Sequence, residues 1–189
     1  MKKMNVAVVG AGFMGKAHCV GLSNMPKLFP DAPFMPVFKT VCGIVPEIAE
    51  NFKDRFGFEK CCTDWHDVVN DPEIDIVCVT TPNSEHADVS IAALKAGKHV
   101  ICEKPIAATT EQAKRMADAA AEAAKKGIVA MNGYQYRRCP AIDEAKKIID
   151  SGRIGTITNI RTQYLQSWSA DPASPLSWRF EKKTAGSGT

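Results

Sequence analysis

Val6-Ala7-Val8-Val9-Gly10-Ala11-Gly12-Phe13-Met14-Gly15 decides the fold of this chain. A short apolar run leads directly into glycines spaced as G-x-G-x-x-G, and residues 12–23 then read as a helix. The spacing alone is a weak signal. Between a strand and a helix it is a dinucleotide-binding fingerprint. Gly10 permits the tight turn, Gly12 lets the backbone approach a pyrophosphate, and Gly15 allows the helix to pack closely on the strand. Phe13 and Met14 lie between them at the helix N-terminus, which faces the phosphates.

Outward from this loop, apolar runs alternate with helix-length amphipathic segments. Residues 5–9, 38–44, 74–80, 99–102 and 128–132 read as strands. Residues 47–56 and 84–96 read as helices, the latter with Ala87, Ser90, Ile91 and Leu94 on one face and Gly97 as its stop. Another helix opens at Thr109, where Gln112 completes a capping box, and ends at Gly127. Runs that are apolar throughout suit parallel strands covered on both faces. Strand–helix alternation then predicts an α/β fold, a doubly wound parallel Rossmann sheet.

The texture changes after Asn132. Residues 140–151 read as a helix closed by Gly152, and residues 156–166 alternate like a strand with one solvated face. The expected organisation is a dinucleotide-binding domain over 1–132 and the beginning of an α+β domain for substrate and dimerisation over 133–189, cut short by the end of the sequence. At the end of the second strand, Val41-Cys42-Gly43-Ile44-Val45 offers neither a carboxylate for the adenosine ribose nor an Arg for a 2′-phosphate, so NAD and NADP both remain open. The insert bearing Pro26, Pro30, Pro33 and Pro36 reads as an extended loop near the adenosine end.

Composition excludes several function classes. A formal charge of +3, with basic and acidic residues mixed, does not call for nucleic acid. No apolar run approaches the roughly 20 residues that span a bilayer. The apolar run at the start is too short for a secretion signal, and a cytoplasmic protein is the default. Seven cysteines without framework spacing suit reduced thiols. Adjacent Cys61 and Cys62, with His66 nearby, cannot easily supply two tetrahedral ligands, so no metal is expected.

Three more motifs follow strand ends, where open α/β sheets bind ligands. They are Thr80-Thr81-Pro82-Asn83-Ser84-Glu85-His86, Glu103-Lys104-Pro105 and Tyr136-Arg137-Arg138-Cys139-Pro140. With the glycine loop, in this order over essentially the whole chain, they resemble the glucose–fructose oxidoreductase and inositol dehydrogenase (Gfo/Idh/MocA) family. The ending Trp178-Arg179 … Ala185-Gly186-Ser187-Gly188 resembles that family's segment leading into its catalytic Asp and His.

The resemblance implies an NAD(P)-dependent oxidoreductase that transfers a hydride between nicotinamide and a sugar, inositol or related polyol. By it, Gly10, Gly12, Phe13, Met14 and Gly15 hold the pyrophosphate, and Thr81, Pro82, Asn83 and His86 line the nicotinamide-ribose side. Glu103 contacts the nicotinamide ribose or carboxamide, and Lys104, in a cis bond to Pro105, points at the reacting hydroxyl. Arg137 sits near the nicotinamide and substrate, and Trp178 and Arg179 border the sugar pocket. A lysine beside the reacting oxygen can polarise it or relay its proton. The family's Asp and His fall beyond Thr189, so this chain is expected to bind cofactor and to turn over poorly. Homo-oligomerisation is implied for the full-length protein. The competing reading is a non-catalytic dinucleotide-binding sensor or regulatory module, which has no need of a lysine at the hydride end.

Overall fold

The computed structural model describes residues 1–167 and 170–186. Six parallel strands form one sheet: β1 (Lys2–Val9), β2 (Phe34–Cys42), β3 (Lys60–Cys62), β4 (Ile76–Val79), β5 (His99–Cys102) and β6 (Ala130–Asn132). Their order is β3-β2-β1-β4-β5-β6, which reverses direction between β1 and β4 and opens a crevice at the carboxyl ends there.

The strands are apolar throughout because both faces are covered. Ala7, Val9, Val77 and Val79 pack in one core with α3 (Trp65–Asn70), α4 (His86–Lys95) and α5 (Thr110–Ala124). Their neighbours Val6, Val8, Ile76 and Cys78 pack on the other face with α1 (Phe13–Leu28) and α2 (Pro46–Phe56). The stripe expected on α4 is buried: Ala87, Ser90, Ile91 and Leu94 all face inward. The capping box forms, with Thr109 Oγ1 accepting the Gln112 N–H and Gln112 reaching back to the Thr109 N–H.

The structure differs from the sequence reading in three places. The proline-rich insert is not a long loop. Helix α1 runs on to Leu28 with Pro26 in its last turn, and β2 begins at Phe34, with Pro36 opposite Met4. Pro36 is tolerated because β3 pairs only with Thr40, Val41 and Cys42, leaving the outer edge of β2 free beside it. Second, β3 and α3 were not anticipated; both are too short to show a period. Cys61 and Cys62 are neighbours on β3 and pack on opposite faces of the sheet. Third, residues 156–167 form no ladder among the described residues, since an alternating segment becomes a strand only beside a partner strand.

The chain divides into two compact units, Met1–Gly133 with Trp178–Thr189, and Tyr134–Ser177. The second contains α6 (Pro140–Asp150), closed as expected by Gly152 at φ +71°. In the first, the segment after Trp178 forms a short helix, α7 (Lys182–Ala185), whose Ala185 is buried and whose carbonyl accepts from Asn83 Nδ2 at 2.8 Å. Burial pushes the Cys19 and Cys78 thiols up to about 12 and Cys102 to about 11, so these act as small hydrophobic side chains. Among the described residues no helix is long and apolar enough to cross a membrane.

Replacing Thr109 with Ala removes the cap of α5 and is expected to cost about 1 kcal/mol, measured by urea unfolding. An unchanged midpoint would show that packing against α4 alone holds this helix end.

Candidate dinucleotide site at the carboxyl edge

The glycine turn is locked against the end of β4. Gly10 has φ +114°, and a Cβ there would lie 2.7 Å from the Thr80 backbone and Oγ1. Thr80 in turn donates from Oγ1 to the carbonyls of Val9 (3.1 Å) and Gly10 (2.8 Å). A Cβ on Gly15 would run into the Gly10 carbonyl oxygen. Around Gly12 the space is open, with nothing within 4 Å of a Cβ. Gly12 caps α1 with no side-chain bond, and the first turn carries no acidic residue. Its N–H groups and the positive end of the helix dipole therefore face an uncluttered cradle, which suits a phosphate.

At the end of β2, Gly43 N–H donates to the Cys62 carbonyl at 3.0 Å, and Ile44 beside it is 91% exposed. No charged side chain replaces the missing carboxylate within Val41-Cys42-Gly43-Ile44-Val45.

The loops after β4 and β5 form the other half of the site. Thr81 and Pro82 are half-buried, and Thr81 Oγ1 is a buried hydroxyl without a protein partner. His86 and Asn83, expected to line the nicotinamide-ribose side, are buried with their polar atoms on protein groups. The His86 ring nitrogens meet the carbonyl oxygens of Pro105 (2.8 Å) and Thr81 (3.0 Å), tying the two loops together. Asn83 holds Ala185. Both residues therefore build the wall of the crevice, because a buried polar group must find its partner within the protein. The Lys104–Pro105 peptide is cis, as the resemblance implies, and the Lys104 side chain is exposed.

Glu103 is the buried charge of the site. Its Oε1 lies 3.0 Å from His18 Nε2, and its Oε2 accepts the Lys104 N–H at 3.2 Å. Burial favours the neutral acid, but the bonds from His18 and Lys104 outweigh it and leave the carboxyl below the ordinary glutamate value. No sequence motif marks His18 as part of the site. The signal lay in helical spacing: His18 follows buried Gly15 by three residues and precedes buried Cys19, so it shares the inward face of α1.

Trp178 and Arg179 stand on the 3-10 turn Trp178–Phe180 in the first unit, with the Arg179 guanidinium 4.7 Å above the Trp178 ring. Arg137 lies on the turn Gln135–Arg138 in the second unit and is exposed. Ser187 and Gly188 lie outside the described residues.

The family model described as "Oxidoreductase family, NAD-binding Rossmann fold" matches residues 4–132, and the "GFO/IDH/MocA C-terminal domain" matches residues 142–189. The chain is 50% identical over 188 residues to the levoglucosan dehydrogenase of Pseudarthrobacter phenanthrenivorans, covering 100% of this chain and 47% of that protein. It is 34% identical over 153 residues to the inositol 2-dehydrogenase of Salmonella typhimurium, covering 80% and 43%. A solved structure of levoglucosan dehydrogenase in complex with NADH superposes with a TM-score of 0.92 at 50% identity, over 99% of this chain and 50% of that one. An oxidoreductase domain protein from Kribbella flavida superposes with a TM-score of 0.93 at 44% identity, over 100% and 50%. The chain thus spans about half the length of the curated relatives it matches.

Two substitutions separate ligand approach from packing. Gly12→Val fills open space and is expected to leave the fold intact while weakening NADH binding by at least about tenfold. Gly15→Val strikes backbone and is expected to lower the melting temperature as well. Calorimetric titration beside thermal unfolding checks both. Glu103 adds a pH dependence. Its folded-state pKa is depressed, so its contribution to stability is present above the unfolded value of about 4.3 and is lost as pH falls through the folded value. Glu103→Gln is expected to flatten that part of the acid-unfolding curve.

Proposed function

The chain belongs to the Gfo/Idh/MocA oxidoreductase family, and from that membership we propose that it is the cofactor-binding part of an NAD-dependent dehydrogenase acting on a CH–OH group of a sugar-like ring. The observation that carries the reading is the open cradle above Gly12 at one side of the crevice, with the exposed Lys104 at the end of β5 on the other.

The residues present fit a dinucleotide. Gly12 leaves the cradle clear, the bare N-terminus of α1 supplies donors, and the buried Thr81 hydroxyl has no protein partner. When bound, the nicotinamide accepts or gives the hydride. We assign the pyrophosphate to Gly10, Gly12, Phe13, Met14 and Gly15, and the nicotinamide-ribose side to Thr81, Pro82 and Glu103. Asn83 and His86 hold the wall behind them. Lys104 donates to the reacting oxygen, polarising the carbonyl or stabilising the oxygen as its proton leaves. Trp178 and Arg179 are assigned to the ring substrate: an aromatic face suits its C–H surface, and a guanidinium suits its hydroxyls. Arg137 is proposed as a cofactor-binding residue on the family resemblance alone.

The family's NAD-binding description, and a similar protein solved with NADH, favour NAD over NADP. The absence of any basic residue from Val41 to Val45 agrees, since nothing there would hold a 2′-phosphate. An anhydrosugar is the first substrate class to test, given the 50% identity to a levoglucosan dehydrogenase, and inositols come next. We assign residues 133–189 to the beginning of a substrate and dimerisation domain, which makes a homo-oligomer the expected assembly. Seven free thiols support a reducing, cytoplasmic setting.

Titration with NADH and NADPH, followed by nicotinamide fluorescence and calorimetry, tests the cofactor reading. NADH is expected to bind at least about tenfold more tightly than NADPH, a difference of about 1.4 kcal/mol. Binding of neither by the folded chain would overturn it. Lys104→Met is expected to lower kcat by a factor of about 10² to 10⁴ on a ring substrate while retaining NADH binding. Undiminished kcat would remove Lys104 from the chemistry.

A further inference from the structure

We infer that His18 is a positioning residue which holds Glu103 as a fixed negative charge at the nicotinamide end of the crevice, and so favours the oxidised cofactor over the reduced one. This rests on the reading of the crevice as an NAD site.

Three elements converge on the Glu103 carboxylate. Helix α1 brings His18, whose Nε2 lies 3.0 Å from Oε1; a carboxylate only accepts, so Nε2 must carry the hydrogen. The loop after β5 supplies the Lys104 N–H to Oε2. The loop after β6 supplies space, because a Cβ on Gly133 would lie 3.0 Å from Oε1 and crowd the bond to His18. The side chains of His18 and Glu103 are only 13% and 8% exposed. A carboxylate this far from water stays ionised by virtue of its donors, and Glu103 has two. The groups acting on it are the His18 ring and Lys104, and the neighbouring Cys102 thiol is held neutral by burial.

The consequence follows from the charge of the ligand. Nicotinamide carries a positive charge when oxidised and none when reduced. With the glycine loop after β1, the nicotinamide half of a doubly wound site lies over the ends of β4 to β6, where Glu103 stands. A buried anion there attracts the oxidised ring selectively. The Lys104 ammonium opposes it, but that side chain is exposed and its field is screened by water. Without the His18 bond, Glu103 keeps one donor against the same burial and shifts toward the neutral acid.

The test is the ratio of NAD⁺ to NADH affinity at one pH near neutrality, by calorimetry, for the wild-type chain and for H18L, H18Q and E103Q. E103Q is expected to lower the ratio by about fivefold, the size of one charge acting across a partly solvated site, and H18L to lower it by a smaller factor as the carboxylate loses one of its two donors. H18Q, whose amide Nε2–H can stand in for the ring N–H, is expected to keep the wild-type ratio. Should H18L fail to fold, H18F keeps a ring of similar shape without the donor. A merely structural role would weaken both forms by the same factor, so an unchanged ratio in the folded donor-free variant overturns the inference. A shift in E103Q without one in H18L overturns the role of His18 and keeps that of Glu103. A wild-type chain that binds neither form instead removes the NAD reading itself.

Discussion

The site depends on one close approach of backbone to backbone. Gly10 sits against Thr80 with no room for a side chain, and Gly15 sits against Gly10 in the same way. The first contact joins the ends of β1 and β4 at the point where the strand order reverses; the second presses α1 onto the turn. Together they set the axis of α1, and with it the direction of the bare N–H groups at one end and of His18 one and a half turns later. A methyl group at either glycine would displace two halves of the crevice at once. This explains why Gly10 and Gly15 are structural requirements while Gly12, with open space above it, is not one; under the proposed function its lack of a side chain leaves room for the ligand.

Buried polar side chains then fix the loops after β4, β5 and β6. His86 joins the loop after β4 to the loop after β5, Asn83 ties the first of these to α7, and Asn132 Nδ2 donates to the carbonyls of Cys102 and Glu103. At the opposite edge of the sheet, buried Lys98 donates to the carbonyls of Asp71 and Ile74, and burial lowers its pKa against the pull of Asp71 and Asp75. Each is a polar group whose desolvation is offset in part by bonds to backbone carbonyls. The exposed side chains, Lys104 and Arg179 among them, extend from a frame that these buried ones hold.

The same division explains which residues of the proposed site could be read in advance. Glycines, a lysine after a strand and a cis-proline motif announce themselves by type and position. His86 and Asn83 were visible as members of a motif, but their direction was not, since nothing local tells whether a polar residue at a strand end turns to solvent or to the neighbouring loop. His18 looked like a helix residue because its partner, Glu103, lies 85 positions away. The prolines of the insert suggested a loop, yet the pairing of Pro36 with Met4 shows that a free strand edge tolerates what a central strand would not.

The sequence by itself determined the α/β class, the parallel strands, the glycine turn and the cap of α5, because these follow from local patterns: unbroken apolar runs, a fixed glycine spacing and a reciprocal pair three residues apart. Only the tertiary structure decided that α1 faces Glu103, that the segment around Ala185 packs against Asn83, and that residues 156–167 form no ladder within the described chain. Those outcomes depend on partners distant in sequence. A buried carboxylate, a docked carbonyl and a strand edge are each satisfied by another segment, so no local pattern could name them.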